Sequence, residues 1–440
     1  MVNTGPVNTG LLAAALRGPL GDVTVQGVTR LSGGASRETW AFEAVAADGS
    51  ATELVLRRDP PGRPSEPGAP AREARAIRQA RAAGLAVPEI LVASDEPGSL
   101  GAAGMIMRRV PGETIARRIL RDDCYQQARD VLVGQVAGFA AGLHALAPPA
   151  DLPAPDPLAD LRTRLDELGA ASQIQHGQMQ PSEVFERAFA ALERNRPPRR
   201  EPVLVHGDLR LGNLIVDESG LAAVIDWELV HAGEPAEDLG WLCVRAWRFG
   251  GAGAAAGLGS REQLLAAYRA AGGAEISADE LRWWETLGTL RWGVICMAQA
   301  WVHLSGAHRS VELAAIGRRV CEQEWDLLTL LEPEAAARAA ARRPHPSAQP
   351  RHSPAPHGRP TASELLDAVR GYLTDQVMPG TSGQLAFHAR VAANALSIVA
   401  RELDLGLIAA QDGDLADRVA ARLAVANPRY FDDQGPGKPR

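Results

Sequence analysis

Three oxygen-bearing side chains stand at the ends of apolar segments in the stretch from Val203 to Glu228: Asp208, Asn213 and Asp226. Asn213 lies five residues after Asp208, and Asp226 lies thirteen after Asn213. The runs VLV (203–205), NLIV (213–216) and AAVI (222–225) read as strands that would hold these groups rigidly. Carboxylate and amide oxygens so placed suit a hard cation, most naturally magnesium that also carries phosphate ligands. Phosphoryl transfer uses such a set. One carboxylate orients or deprotonates an attacking hydroxyl, while an amide and a second carboxylate hold the metal against nucleotide phosphates. Two carboxylates alone also permit glycoside hydrolysis, and either aspartate alone reads equally well as a turn residue. The asparagine between them and the sheet-rich segment upstream favour phosphoryl transfer.

Those groups need elements to position them. Segments 203–206 and 213–217 read as a hairpin joined across DLRLGN, with the turn ESG leading on to the strand LAAVID. Upstream, VTVQGVTRL, ETWAFEAVA and ATELVLRR alternate with period two, and a DG turn at 48–49 separates the last two. A Pro/Gly-rich link, DPPGRPSEPGAP, precedes an Ala-rich helix over 70–84 that ends at Gly84. VPEILVAS and AGMIMRRV add two more strands, and PGET opens a mostly helical region in which 127–146 is the clearest helix. After Asp238 the chain is helical again, including a Trp-rich stretch over 278–306. Residues 344–360 hold six prolines and read as a linker. In the tail, Phe387, Val391, Ala395 and Ile398 fall on one helical stripe.

Bulk properties narrow the class. With 440 residues the chain can hold two or three domains. A net charge of -7 provides no electrostatic reason for a nucleic-acid partner. Four widely spaced cysteines suggest neither a disulfide scaffold nor a zinc cluster. No apolar window is long enough for a membrane span, and LLAAAL at 11–16 lacks the basic lead-in of a signal peptide. A cytoplasmic enzyme is expected. Lys438 is the only lysine.

HGDLRLGN followed by IDWE resembles the aminoglycoside phosphotransferase (choline kinase-like) family over about residues 20–330. The resemblance implies an α+β, protein-kinase-like two-lobed fold with a small β-rich N-lobe, a large helical C-lobe and an extra C-terminal helical domain. The expected boundaries are 20–110 for the nucleotide-binding lobe, 111–343 for the catalytic and substrate lobe, 344–360 for the linker and 361–430 for the accessory domain. It further implies ATP as donor, Asp208 as catalytic base, and Asn213 and Asp226 as Mg2+ ligands. His206 would brace the loop, and Asp238 would tie the following helix to it. Gly33, Gly34 and Ser36 in LSGGAS would line the nucleotide phosphates, and Arg109 and Val110 would form the hinge that meets the adenine. The kinase fold usually places a lysine in the third strand, paired to a helix glutamate, and this chain has none there. Arg57, on the face shared with Val55, is taken as its replacement, with Glu73 as partner.

The acceptor is less defined. The insert 151–201 has nine acidic and seven basic residues, too balanced for the acidic field that a polycationic aminoglycoside needs. Trp283, Trp284, Trp292 and Trp301 read either as core or as an apolar acceptor pocket. LVLRRDPPG and IDWELVHAGEPAEDLGWL are similar to the kinase domains fused to acyl-CoA dehydrogenases, which implies a hydroxyacyl-CoA or related hydroxy acid as the small-molecule hydroxyl substrate. The segment from ELLDAVRGYL to ARELDLG resembles a bacterial domain of unknown function, with a homodimer or an acyl-CoA-metabolism partner as its expected contact. Rival expectations are aminoglycoside phosphorylation and a catalytically weak binding module.

Overall fold

Strand alternation sets up the first lobe. The computed structural model describes residues 7–31, 37–60, 66–175, 182–343, 362–405 and 413–434. Strands β1 (Val23–Arg30), β2 (Glu38–Ala46), β3 (Ala51–Arg58), β4 (Ile90–Ser94) and β5 (Gly104–Arg108) form one antiparallel sheet in the order β1-β2-β3-β5-β4. In β3, Leu54, Leu56 and Arg58 are buried on one face, while Val55 and Arg57 lie half-buried on the other. Helix α1 (Thr9–Leu20), capped by the Asn8 side chain, adds Leu12 and Leu16 to the cluster formed by Phe42, Leu54, Leu56 and Ile106. On the Arg57 face stands α2 (Ala69–Ala82), which buries Glu73, Ala74 and Ile77.

β5 leads through Pro111 and Gly112 to Glu113, whose N–H and C=O pair with Val216 at 2.8 and 3.0 Å. A side chain on Gly112 would start 2.6 Å from Ile215 Cγ2 and 2.9 Å from Val216 O, so the sheet is joined to the downstream strands by backbone in close contact.

The expected hairpin across DLRLGN does not form. β6 (Val203–Val205) pairs with β9 (His231–Gly233), and β7 (Leu214–Asp217) pairs with β8 (Gly220–Val224). Gly207 takes φ +80°, with its Cβ position only 2.4 Å from Leu229 O, and this turns the chain out of β6. A short 3-10 turn, Leu211–Asn213, then starts β7 in another sheet. The loop between β6 and β7 is therefore anchored at each end by a different two-stranded sheet.

The chain divides into two compact units, Met1–Pro155 with Pro198–Trp284, and Asp156–Pro197 with Glu285–Arg440. All the elements above belong to the first. There Trp283 and Trp284 are buried edge to face, with ring centres 5.0 Å apart, and are core residues. Among its described residues the second unit is built from helices. Its last described α-helix, Leu415–Ala426, is built into that unit: Arg422 meets the buried Glu324 at 2.9 Å, and just beyond it Tyr430 Oη donates to Asp326 at 2.6 Å. The helix Gly383–Leu405 buries Ala389, Ala393 and Ile398; of the expected stripe Ile398 is buried, Val391 and Ala395 are half-buried and Phe387 is exposed. The linker 344–360 lies outside the described residues.

Candidate active site

The loop 206–213 is held from beneath by one buried carboxylate. Asp238, in the helix Pro235–Cys243, is fully buried. Its Oδ2 accepts from His206 N and its Oδ1 from Gly207 N, both at 2.9 Å, and His144 Nε2 lies 3.2 Å from Oδ2. His144 is in turn 2.9 Å from Tyr268 Oη. Burial disfavours the charge on Asp238, but His144 and the backbone donors outweigh it and hold the carboxyl below the usual range.

His206 links this loop to the strand end that bears Asp226. Its Nδ1 accepts from Asp208 N at 3.2 Å, so Nε2 carries the proton and donates to Ile225 O at 3.1 Å. The buried ring of Trp227 packs edge-on against it, with centres 4.9 Å apart.

Both oxygens of Asp208 are engaged. Oδ1 accepts from Trp241 Nε1 at 2.7 Å and Oδ2 from Asn213 Nδ2 at 2.6 Å. Arg210 Nε lies 3.0 and 3.1 Å from the two oxygens, and its guanidinium stacks 4.9 Å over Trp247. The carboxylate orientation is thus fixed by side chains from the loop itself and from the Asp238 helix.

Asp226 sits at φ 68°, a left-handed conformation that aspartate tolerates better than most residues. Arg57 Nη2 binds its Oδ1 at 2.6 Å, and Arg57 Nη1 reaches Glu73 Oε1 at 3.4 Å. Burial works against the charge on Asp226, but Arg57 overrides it and lowers the carboxyl's pKa. Burial likewise works against the charged guanidinium, and Asp226 with Glu73 more than compensates. Glu73 Oε2 is bound by the buried Arg37, whose Nε lies 3.4 Å from Asp59. Arg58 points to the other face and pairs with the buried Glu38 at 3.2 Å. The two halves adjoin through Ile225 N, which donates to Asn213 O at 2.9 Å.

Arg57, Glu73 and Asp226 are therefore brought together, as are Asp208 and Asn213. The Arg109 side chain is not in this cluster: it is exposed and lies 3.5 Å from Glu53, while its N–H donates to Glu53 O. Val110 follows it, half-buried. Gly33, Gly34 and Ser36 lie outside the described residues. Among the described residues no group of three or more His, Cys, Asp and Glu side chains could cage a metal; the candidate donors are the Asp226 carboxylate and the Asn213 amide. Sequence inspection missed Arg37, Arg210, Trp241 and His144. Trp241 had a signal, because it lies three residues after Asp238 and so shares its helix face.

The profile of the phosphotransferase enzyme family, APH, matches residues 27–284, more than half of the chain. The chain belongs to the APH family. It is accordingly a small-molecule phosphotransferase, and the expected α+β, protein-kinase-like two-lobed fold is the fold observed. A second profile, of a domain of unknown function (DUF6285), matches residues 379–416. A protein from Ralstonia eutropha JMP134 described as an aminoglycoside phosphotransferase superimposes with a TM-score of 0.52 at 20% identity, covering 73% of this chain and 98% of its own. A choline/ethanolamine kinase family protein from Mesorhizobium loti gives 0.48 at 18% identity, covering 70% and 88%. Mouse acyl-CoA dehydrogenase family member 10 is 38% identical over 63 residues, which is 14% of this chain and only 6% of that protein's length. No helix among the described residues is long and apolar enough to cross a membrane.

Proposed function

We propose that this APH-family phosphotransferase moves the γ-phosphoryl group of ATP to the hydroxyl of a hydroxyacyl-CoA or related hydroxy acid, with Mg2+, in the cytoplasm. The observation that carries the donor half is the Arg57 guanidinium held between Glu73 and Asp226, beside the linked pair Asp208 and Asn213. The residues present fit the donor. A guanidinium can meet phosphate oxygens with two parallel N–H groups, and one carboxylate plus one amide suits a magnesium ion that shares ligands with phosphate. Asn213 and Asp226 would hold the metal, and Arg57 would hold phosphate with Glu73 orienting it. Gly33, Gly34 and Ser36 would give polar groups to the phosphates, and Val110 would face the adenine. When bound, magnesium neutralises charge on the phosphates. Asp208, oriented by Trp241 and Asn213, takes the proton of the attacking hydroxyl.

Two observations support the acceptor class. Arg210 lies within 3.1 Å of both Asp208 oxygens and offsets their negative charge, which weakens the acidic field that a polycation needs. The 63-residue likeness to an acyl-CoA dehydrogenase family member points the same way. For the helices after the linker we propose a second copy or an acyl-CoA-metabolism enzyme as partner, in keeping with the exposed Leu365, Val369 and Tyr372.

The test is ATP turnover with hydroxyacyl-CoAs, free hydroxy acids, aminoglycosides and choline. We expect phosphorylation of the first two. Asp208→Asn should reduce kcat by roughly 100-fold or more while nucleotide affinity stays within about threefold. Undiminished turnover in that variant rejects Asp208 as base, and turnover of aminoglycosides alone rejects the acceptor class.

A further inference from the structure

β2 and β3 place charges in register. Glu38 is opposite Arg58 and Thr39 opposite Arg57, and continuing the pairing by one residue sets Arg37 against Asp59. Alternation separates two sets. Glu38 and Arg58 share the core face, whereas Arg37, Arg57 and Asp59 share the face toward α2. There, each oxygen of Glu73 has its own arginine: Oε1 faces Arg57 at 3.4 Å, and Oε2 is bound by Arg37. The closer contact of Arg57 is with Asp226, at 2.6 Å. Arg37 is 7% exposed and forms ion pairs with Glu73 and Asp59. The result is an alternating chain of five charges, Asp59, Arg37, Glu73, Arg57 and Asp226.

In this chain Arg57 has two carboxylate partners that would compete with any phosphate for its N–H groups. A buried carboxylate that loses its partner is strongly destabilised. If Glu73 depended on Arg57 alone, Arg57 could not turn toward a ligand without leaving Glu73 stranded. We propose that Arg37 is a positioning residue that holds Glu73 independently of Arg57, so that Arg57 is available to nucleotide phosphates. This rests on the nucleotide site proposed above. It also accounts for how an arginine can stand where the fold usually has a lysine: the glutamate is shared with a second, buried guanidinium.

The experiment is the dissociation constant of MgATP, measured with a fluorescent ATP analogue and by calorimetry, on the full chain. Arg37→Gln should weaken binding about tenfold or more, because Glu73 then draws Arg57 to itself. Arg37→Lys, which keeps the charge, should stay within about threefold. The double variant Arg37→Gln/Glu73→Gln should recover most of the lost affinity, because glutamine keeps an oxygen that can orient Arg57 but not the charge that competes for it; a purely structural Arg37 would show no such rescue. Circular dichroism and thermal melting check that each variant folds. Wild-type-like affinity in folded Arg37→Gln, or a double variant no better than the single one, overturns the proposal while leaving the phosphotransferase reading intact. If the wild-type chain binds no MgATP, the nucleotide site itself is refuted and this role with it.

Discussion

Replacing Asp238 by asparagine removes one charge and one acceptor from beneath the loop 206–213. The carboxylate now takes Gly207 N on one oxygen and both His206 N and His144 Nε2 on the other. Asparagine has a single oxygen. If it faces His206 and His144, its NH2 group meets Gly207 N–H, donor against donor; the flipped amide is worse, with two donors opposed. A lost hydrogen bond to a charged group costs about 1.5–3 kcal/mol, and a buried donor left without a partner costs about 1–3 kcal/mol. Part of each overlaps, so about 3 kcal/mol is expected, roughly a hundredfold in the local opening equilibrium. Hydrogen exchange of peptides covering 203–217 reads that opening directly. Since the loop orients Asp208, kcat should fall by about tenfold to a hundredfold, while KM for ATP stays within about threefold because Arg57 and Glu73 stand on β3 and α2. The pH dependence follows from the lowered carboxyl of Asp238. Its contribution is complete above the ordinary aspartate value near 3.9, about pH 4, and is lost as pH falls through the lowered folded value. The variant should lack that acid step. Unchanged exchange in 203–217 together with kcat within threefold of wild type would refute the bracing role.

Two further outcomes separate adjacent residues by what they touch. Arg57→Ala should lower kcat/KM for ATP by about a hundredfold or more. Arg58→Ala should leave kcat/KM for ATP nearly unchanged while destabilising the first lobe by about 3 kcal/mol, since Glu38 remains buried with Arg30 3.7 Å away as its other ion-pair partner; the opposite order in kcat/KM means that the faces of β3 are misassigned. Gly112→Ala should cost about 2–3 kcal/mol, because φ is +141° there and the new methyl would press on Ile215 and Val216. A melting temperature within one degree of wild type counts against this close approach.

What could be read in advance depended on whether a feature is local. Spacing alone placed Asp208, Asn213 and Asp226 at strand ends, because a strand end is defined by the residues beside it. Parity alone put Arg57 on the face away from Leu54 and Leu56, because the two-residue period needs no knowledge of a partner strand. Pairing is different. β6 joins His231–Gly233, more than twenty residues downstream, and the signal for this is the backbone conformation of Gly207, which the letter G permits but does not dictate. The same limit hid Arg37. Its parity was available, but its meeting with Glu73 requires the register of β2 on β3 and the seating of α2, two facts of tertiary structure. Trp241 and His144 show an intermediate case: once Asp238 is known to be buried, helix periodicity finds Trp241, whereas His144 arrives from a helix nearly a hundred residues upstream. The groups proposed for chemistry were thus legible, and among the groups that hold them His206 and Asp238 were read from the resemblance, whereas Arg37, Arg210, Trp241 and His144 were not. Asp208, Asn213 and Asp226 lie in one local motif, while the supports come from whichever elements pack nearby.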